Sequence, residues 1–271
     1  MQEQRLVFIG GGNMATSLIG GLLAEGYPAS QISACDPDEV CRQRLEKTFA
    51  IRTHASNDAA QDADVLILAV KPQVLEPIAR DIGDKLAHSP LTISIAAGIP
   101  VSALQAWLGT NVPIVRCMPN TPALVQQGAT ALYATALVSA DQRALAQQVL
   151  AAAGTTCWCD NETDIDRVTA LSGSGPAYFF LVMEAMEDAG VKLGLNRDTA
   201  RQLTLQTALG AATLALADDA EPAELRRRVT SPGGTTEAAI NVMLQGGLPS
   251  LFEQAIAAAY QRAVEMAKES S

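Results

Sequence analysis

The chain has 271 residues, 48% of them hydrophobic and 4% aromatic, which allows one large domain or two ordinary ones and favours close-packed helices over an aromatic-rich β sandwich. A net charge of -10 argues against nucleic acid and anionic membranes as partners. Five cysteines at irregular spacing, beside two histidines, argue against a disulfide framework and against a bound metal.

Met1 to Arg5 leads directly into a short strand with no cleavable apolar stretch, so no export signal is expected. Together with reduced thiols this predicts a cytoplasmic protein. Almost continuously apolar strands are predicted at 6–9, 32–35, 65–70, 91–95 and 112–116, as strands buried on both faces require. Helices are expected between them near 13–25, 37–48, 72–87 and 101–107, and this alternation predicts a parallel sheet with right-handed crossovers. Two further strands near 129–134 and 155–159 flank a helix at 140–153. The segment 154–166 is the expected junction, giving a dinucleotide-binding domain over 1–160 and a helical domain over 161–271.

Beyond the junction the β signal disappears. The runs 176–191 and 202–217 are apolar or uncharged on nearly every face, and such helices must be covered on all sides. A domain of this size has little room for two of them, so a second subunit is expected to cover them. The longest uncharged stretch, 202–217, is too short and too rich in Gln and Thr to span a bilayer. Arg226–Arg228 is expected on a solvated helix face. The final helix is amphipathic, with Phe252, Ile256, Tyr260, Ala263 and Ala267 on one side.

The first strand ends in Gly10-Gly11-Gly12-Asn13-Met14-Ala15, which fits G-x-G-x-x-A. Gly10 allows a tight turn, Gly12 lets a pyrophosphate approach the backbone, and Ala15 permits close helix–strand packing. The N–H groups of the helix start, at Asn13 and Met14, then face the phosphates. Asp36 ends the second strand where an acid often holds the ribose hydroxyls, which favours NADH; its alternative role is a helix N-cap. Arg42 and Arg44 follow on the helix, and NADPH stays open. Ala69, Val70, Lys71 and Pro72 end the next core strand, and Ala97 and Gly98 the one after. Both segments are predicted to line the cofactor crevice, because ligands bind at the carboxyl ends of parallel strands.

Three further segments carry a resemblance: Arg116-Cys117-Met118-Pro119-Asn120-Thr121-Pro122, Leu171-Ser172-Gly173-Ser174-Gly175-Pro176-Ala177-Tyr178, and Ser231-Pro232-Gly233-Gly234-Thr235-Thr236. With the Gly10 loop and Ala69–Pro72, in this order, the chain resembles the pyrroline-5-carboxylate reductases. The resemblance implies a Rossmann-type doubly wound sheet followed by an all-α dimerisation domain. It implies NADPH- or NADH-dependent reduction of 1-pyrroline-5-carboxylate to L-proline, by a homodimer that some members build into a pentamer of dimers. It places the substrate on Ser231, Gly233, Gly234, Thr235 and Thr236, with Thr236 as the catalytic hydroxyl, and adds Asn57 as a cofactor contact. Leu244 departs from the family's usual acidic or amide residue.

On physical grounds the glycine turn opens a helix at 236–244, whose free N–H groups suit a carboxylate. His54 and His88 lie outside every motif. A β-hydroxyacid dehydrogenase is the nearest alternative, but it needs a base to take the hydroxyl proton. Phe179 and Met183 stand where that family resembles G-x-G-x-x-x-K-x-x-x-N. A nicotinamide-sensing protein without catalysis would not need the Ser231–Thr236 turn.

Overall fold

In the computed structural model, residues 4–269 are described. The first three residues of the N-terminal run discussed above lie outside them. The order is β1 (Leu6–Ile9), α1 (Asn13–Ala24), β2 (Ile32–Cys35), α2 (Glu39–Phe49), β3 (Arg52–His54), β4 (Val65–Leu68), α3 (Pro72–Gly83), β5 (Leu91–Ser94) and α4 (Val101–Leu108). Then come β6 (Ile114–Met118), β7 (Gly128–Ala134), α5 (Ala140–Ala151), β8 (Gly154–Trp158) and α6 (Thr163–Val168), with a π-helical turn over Thr169–Gly173. The rest is helical: α7 (Gly175–Lys192), α8 (Arg197–Ala217), α9 (Pro222–Arg228), α10 (Thr235–Gln245) and α11 (Leu248–Glu269).

The strands form one sheet in the order β3-β2-β1-β4-β5-β6-β7-β8. The chain progresses outward one way from β1 to β3 and the other way from β4 onward, and this switch between parallel neighbours opens the ligand crevice of a doubly wound sheet at the carboxyl ends of β1 and β4. Side chains alternate across the sheet with period two. Leu6 and Phe8 pack on one face with α1 residues Leu18 and Ile19, and Val7 and Ile9 on the other with α3 residues Leu75 and Ala79.

The parallel sheet expected from the alternation holds from β1 through β6, and the next strand departs from it. β7 runs antiparallel to β6, pairing Arg116 with Tyr133 and Cys117 with Leu132. The connection from Met118 to Gly128 holds only a 3-10 turn (Thr121–Val125), and a parallel return needs a longer crossover, usually a helix. β8 pairs parallel with β7 through α5.

Two compact units are resolved, Met1–Ser174 with Ala258–Ser271, and Gly175–Ala257. This division falls later than the junction expected at 160. The physical cause is that α6 packs on β6 and β7, so residues after 160 remain tied to the sheet. In the second unit α7 and α8 pack together. Phe179, Phe180 and Leu181 of α7 are nevertheless 67%, 62% and 65% exposed, and Leu209 of α8 is 61% exposed, within the single chain. No helix of the described residues is long and apolar enough to cross a membrane.

Candidate active site

The glycine loop forms where β1 stops. Gly10 has φ +97° and donates its N–H to Cys35 O at 2.7 Å. A Cβ there would stand 2.7 Å from Ala69 O, so only glycine fits this turn. Gly12 has open space where a Cβ would be, and it caps α1 without any side chain. The first N–H groups of α1 have no acceptor within the helix, and with the helix dipole they make an anion seat beside that opening. Ala15 is buried against the sheet. These features fit a dinucleotide pyrophosphate.

Asp36 shapes this loop. Its Oδ2 accepts the Gly11 N–H at 2.8 Å and its Oδ1 accepts the Asp38 N–H at 2.9 Å. The alternative capping role falls to Asp38, whose carboxylate accepts the Val40 N–H at 3.0 Å. Arg44 Nη2 donates to Gly11 O at 2.9 Å, and Arg42 Nη1 to the carbonyls of Asp36 and Pro37 at 2.8 and 2.9 Å. Both arginines therefore return from α2 to the turn. The middle glycine of the loop, Gly11, has a reason the sequence did not disclose: a Cβ would lie 2.7 Å from Leu45 Cδ1 and 2.8 Å from Cys41 Sγ.

Ala69 and Val70 are half-buried beyond β4, Lys71 is exposed, and Pro72 opens α3 where its missing N–H is harmless. Asn57 begins a 3-10 turn (Asn57–Asp62) after β3. Ala97 is half-buried beyond β5. Gly98 has φ +73°, and a Cβ on it would stand 2.9 Å from Met266 Cβ, so its small size serves packing against α11. His54 lies in β3, and His88 Nε2 lies 2.7 Å from Ala63 O. Burial pushes the Cys35 thiol up to about 11, with Asp58 adding to it, and burial also raises Cys117.

Sequence reasoning missed a buried ionic cluster. Arg116 Nη1 donates to Glu162 Oε1 at 2.9 Å and Nη2 to Asp166 Oδ1 at 2.8 Å. Glu162 Oε1 also accepts the Val101 N–H at 2.7 Å. One guanidinium thus joins β6, α6 and the start of α4, just after Ala97-Gly98. Asn120 adds a second tie, donating to Ser172 O at 3.0 Å and accepting the Ala129 N–H at 2.9 Å.

In the second unit the turn Ser231–Gly234 leads into α10. Gly234 N donates to Ser231 O at 3.0 Å, and Gly233 adopts φ +72°. Gly234 caps the helix without a side-chain bond. Ser231, Gly233 and Thr235 are exposed, while Gly234 and Thr236 are half-buried. The Gly233 N–H is already used, accepted by Glu237 Oε2 at 2.7 Å.

Residues 162–266 match the family described as pyrroline-5-carboxylate reductase dimerisation, and residues 5–98 match NADP oxidoreductase coenzyme F420-dependent. The pyrroline-5-carboxylate reductase of Pseudomonas aeruginosa is 57% identical over 270 residues, covering 99% of both chains. The chain belongs to the pyrroline-5-carboxylate reductase family. The solved reductase of Coxiella burnetii superposes with TM-score 0.93 at 43% identity, covering 97% of this chain and 98% of that one. The Plasmodium falciparum enzyme, solved with NADP bound, superposes with TM-score 0.87 at 29% identity over 98% and 99%. Membership accounts for the mixed architecture: a Rossmann-type sheet that carries the glycine loop, then a dimerisation region that carries the Ser231–Thr236 turn.

Proposed function

We infer that this chain reduces 1-pyrroline-5-carboxylate to L-proline with a nicotinamide dinucleotide, NADPH or NADH. The observation that carries the reading is the 57% identity over 99% of both chains with a pyrroline-5-carboxylate reductase. The glycine loop and the carboxyl-terminal turn both lie within that span.

By sequence region we assign dinucleotide binding to 1–160 and the substrate and dimerisation role to 161–271, although α6 and the end of α11 belong to the first compact unit. Gly10 makes the tight turn that brings the loop to the pyrophosphate, and Gly12, Asn13 and Met14 hold it through backbone N–H groups. A carboxylate has about four lone-pair sites, so Asp36 can shape the loop and still accept from a ribose hydroxyl. Asn57, Ala69, Val70, Lys71, Pro72, Ala97 and Gly98 complete the cofactor wall. Ser231, Gly233, Gly234, Thr235 and Thr236 form the substrate turn, in which the glycines shape the backbone, the Thr235 and Thr236 N–H groups at the start of α10 take the carboxylate, and the Thr236 hydroxyl is toward the ring nitrogen.

When bound on that wall, a reduced nicotinamide would supply the hydride for the C=N carbon of the substrate. The protonated imine is already electrophilic, so the chain needs no strong acid. Its task is positioning. Neither histidine belongs to the glycine loop or the turn, in keeping with that division of labour.

The active species is an oligomer. We propose a homodimer as its unit, acting alone or as a pentamer of dimers, in the cytoplasm. The exposed apolar faces of α7 and α8 support a partner subunit there. The test is loss of reduced-nicotinamide absorbance with pyrroline-5-carboxylate, run in parallel with NADPH and NADH, with proline identified as product. Purified, folded protein that consumes neither dinucleotide overturns the reading.

A further inference from the structure

We propose that Glu237 is a positioning residue for the substrate carboxylate: it clamps the two-glycine turn by accepting the Gly233 N–H. The proposal rests on the reading that the Ser231–Thr236 turn binds substrate.

In an ordinary capping box, an acid at the third helical position accepts the N–H of the N-cap residue itself. Here Gly234 is the N-cap of α10 and Glu237 the third helical residue, but its carboxylate reaches one residue further back, to Gly233 at 2.7 Å. Gly234 N is meanwhile turned onto Ser231 O at 3.0 Å. The two glycine N–H groups are thus consumed by the chain itself. The N–H groups of Thr235 and Thr236, the first two helical residues, have no acceptor within the helix. The clamp therefore decides which donors face an incoming anion: Thr235 and Thr236, rather than Gly233.

The clamp also addresses flexibility. Adjacent glycines lose more backbone freedom on ordering than any other pair, and Gly233 sits at φ +72°. Without Glu237 the turn samples other conformations, and the substrate must order it on binding. A carboxylate so close to an anion site repels the substrate's own charge, so a role through charge and a role through the clamp predict opposite effects. Removing the charge while keeping the acceptor separates them.

The test uses the full-length enzyme with pyrroline-5-carboxylate and NADPH, comparing Glu237→Ala, Glu237→Gln and Thr236→Ala, with proline binding followed by calorimetry. For Glu237→Ala we expect KM for the imine acid to rise about tenfold, the scale of ordering one backbone residue. Its kcat stays within about twofold, because a clamp formed before binding acts on association rather than on the chemical step. Glu237→Gln, which keeps a side-chain carbonyl acceptor, returns KM to within about twofold of the parent. An unchanged KM in Glu237→Ala overturns the proposal, and so does a Glu237→Gln variant as impaired as the alanine. If Thr236→Ala weakens proline binding while Glu237→Ala does not, the clamp fails and the substrate site stands. If neither changes proline binding, the substrate site itself is wrong.

Discussion

At Gly10 the chain is held where a side chain would strike Ala69 O at 2.7 Å, with φ at +97°. Gly10→Ala therefore strains the loop and displaces the β4 end together. We expect dinucleotide affinity, measured by quenching of intrinsic fluorescence, to fall at least tenfold, since a left-handed non-glycine residue alone costs about 1–2 kcal/mol. Affinity equal to the parent's would remove Gly10 from the turn. Thr236→Ala is expected to cut kcat/KM by about tenfold or more, roughly 1.4 kcal/mol of transition-state stabilisation, read by initial rates. The thiols make a third case. Burial raises Cys35 to about 11 and also raises Cys117, so near neutral pH both stay protonated and unreactive. Cys157 is exposed. A thiol reagent on native protein should modify Cys157 and leave Cys35 and Cys117 until denaturant is added; early labelling of Cys117 by peptide mapping would contradict its burial.

At the scale of elements, Arg116 joins β6, α6 and the start of α4, with a side chain only 3% exposed against Glu162 and Asp166 at 28% and 12%. Removing one partner of a buried ion pair leaves an uncompensated charge, so Arg116→Ala should lower unfolding free energy by about 3–5 kcal/mol. Urea unfolding checks this, and a change under about 1 kcal/mol, the level of an exposed pair, would show the cluster to be solvated. The same cluster explains what could and could not be read from sequence. The core strands were legible because Leu6–Ile9 and Val65–Leu68 are apolar on both faces. β3 was not, since Arg52-Thr53-His54 is a polar edge strand that pairs only with β2. α6 was hidden because Thr163–Val168 is too short to show an apolar period, with only Ile165 and Asp166 buried. The glycine loop could be recognised from its spacing together with the strand before it and the helix after it. The Asp36 bond to Gly11 and the Glu237 bond to Gly233 could not, because both depend on where a loop folds back.

At the scale of the molecule, the uncharged run 202–217 and the apolar run 176–191 already called for a covering subunit. Phe180 and Leu209 stand 62% and 61% exposed in the single chain, amid other apolar residues of α7 and α8. Leaving such a surface in water forfeits about 25 cal/mol for each Å² of apolar area, so association supplies stability that the isolated chain lacks. Linkage then requires the melting temperature of the parent enzyme to rise with protein concentration. A carboxylate on this face would be buried without a partner on association, and Leu209→Glu should shift the sedimenting species toward the 28.4 kDa single chain. In that variant the melting temperature should fall and lose its dependence on concentration, because unfolding no longer includes dissociation. A Leu209→Glu protein that sediments as the parent does would place Leu209 outside the contact and leave the apolar face of α8 without a role in assembly.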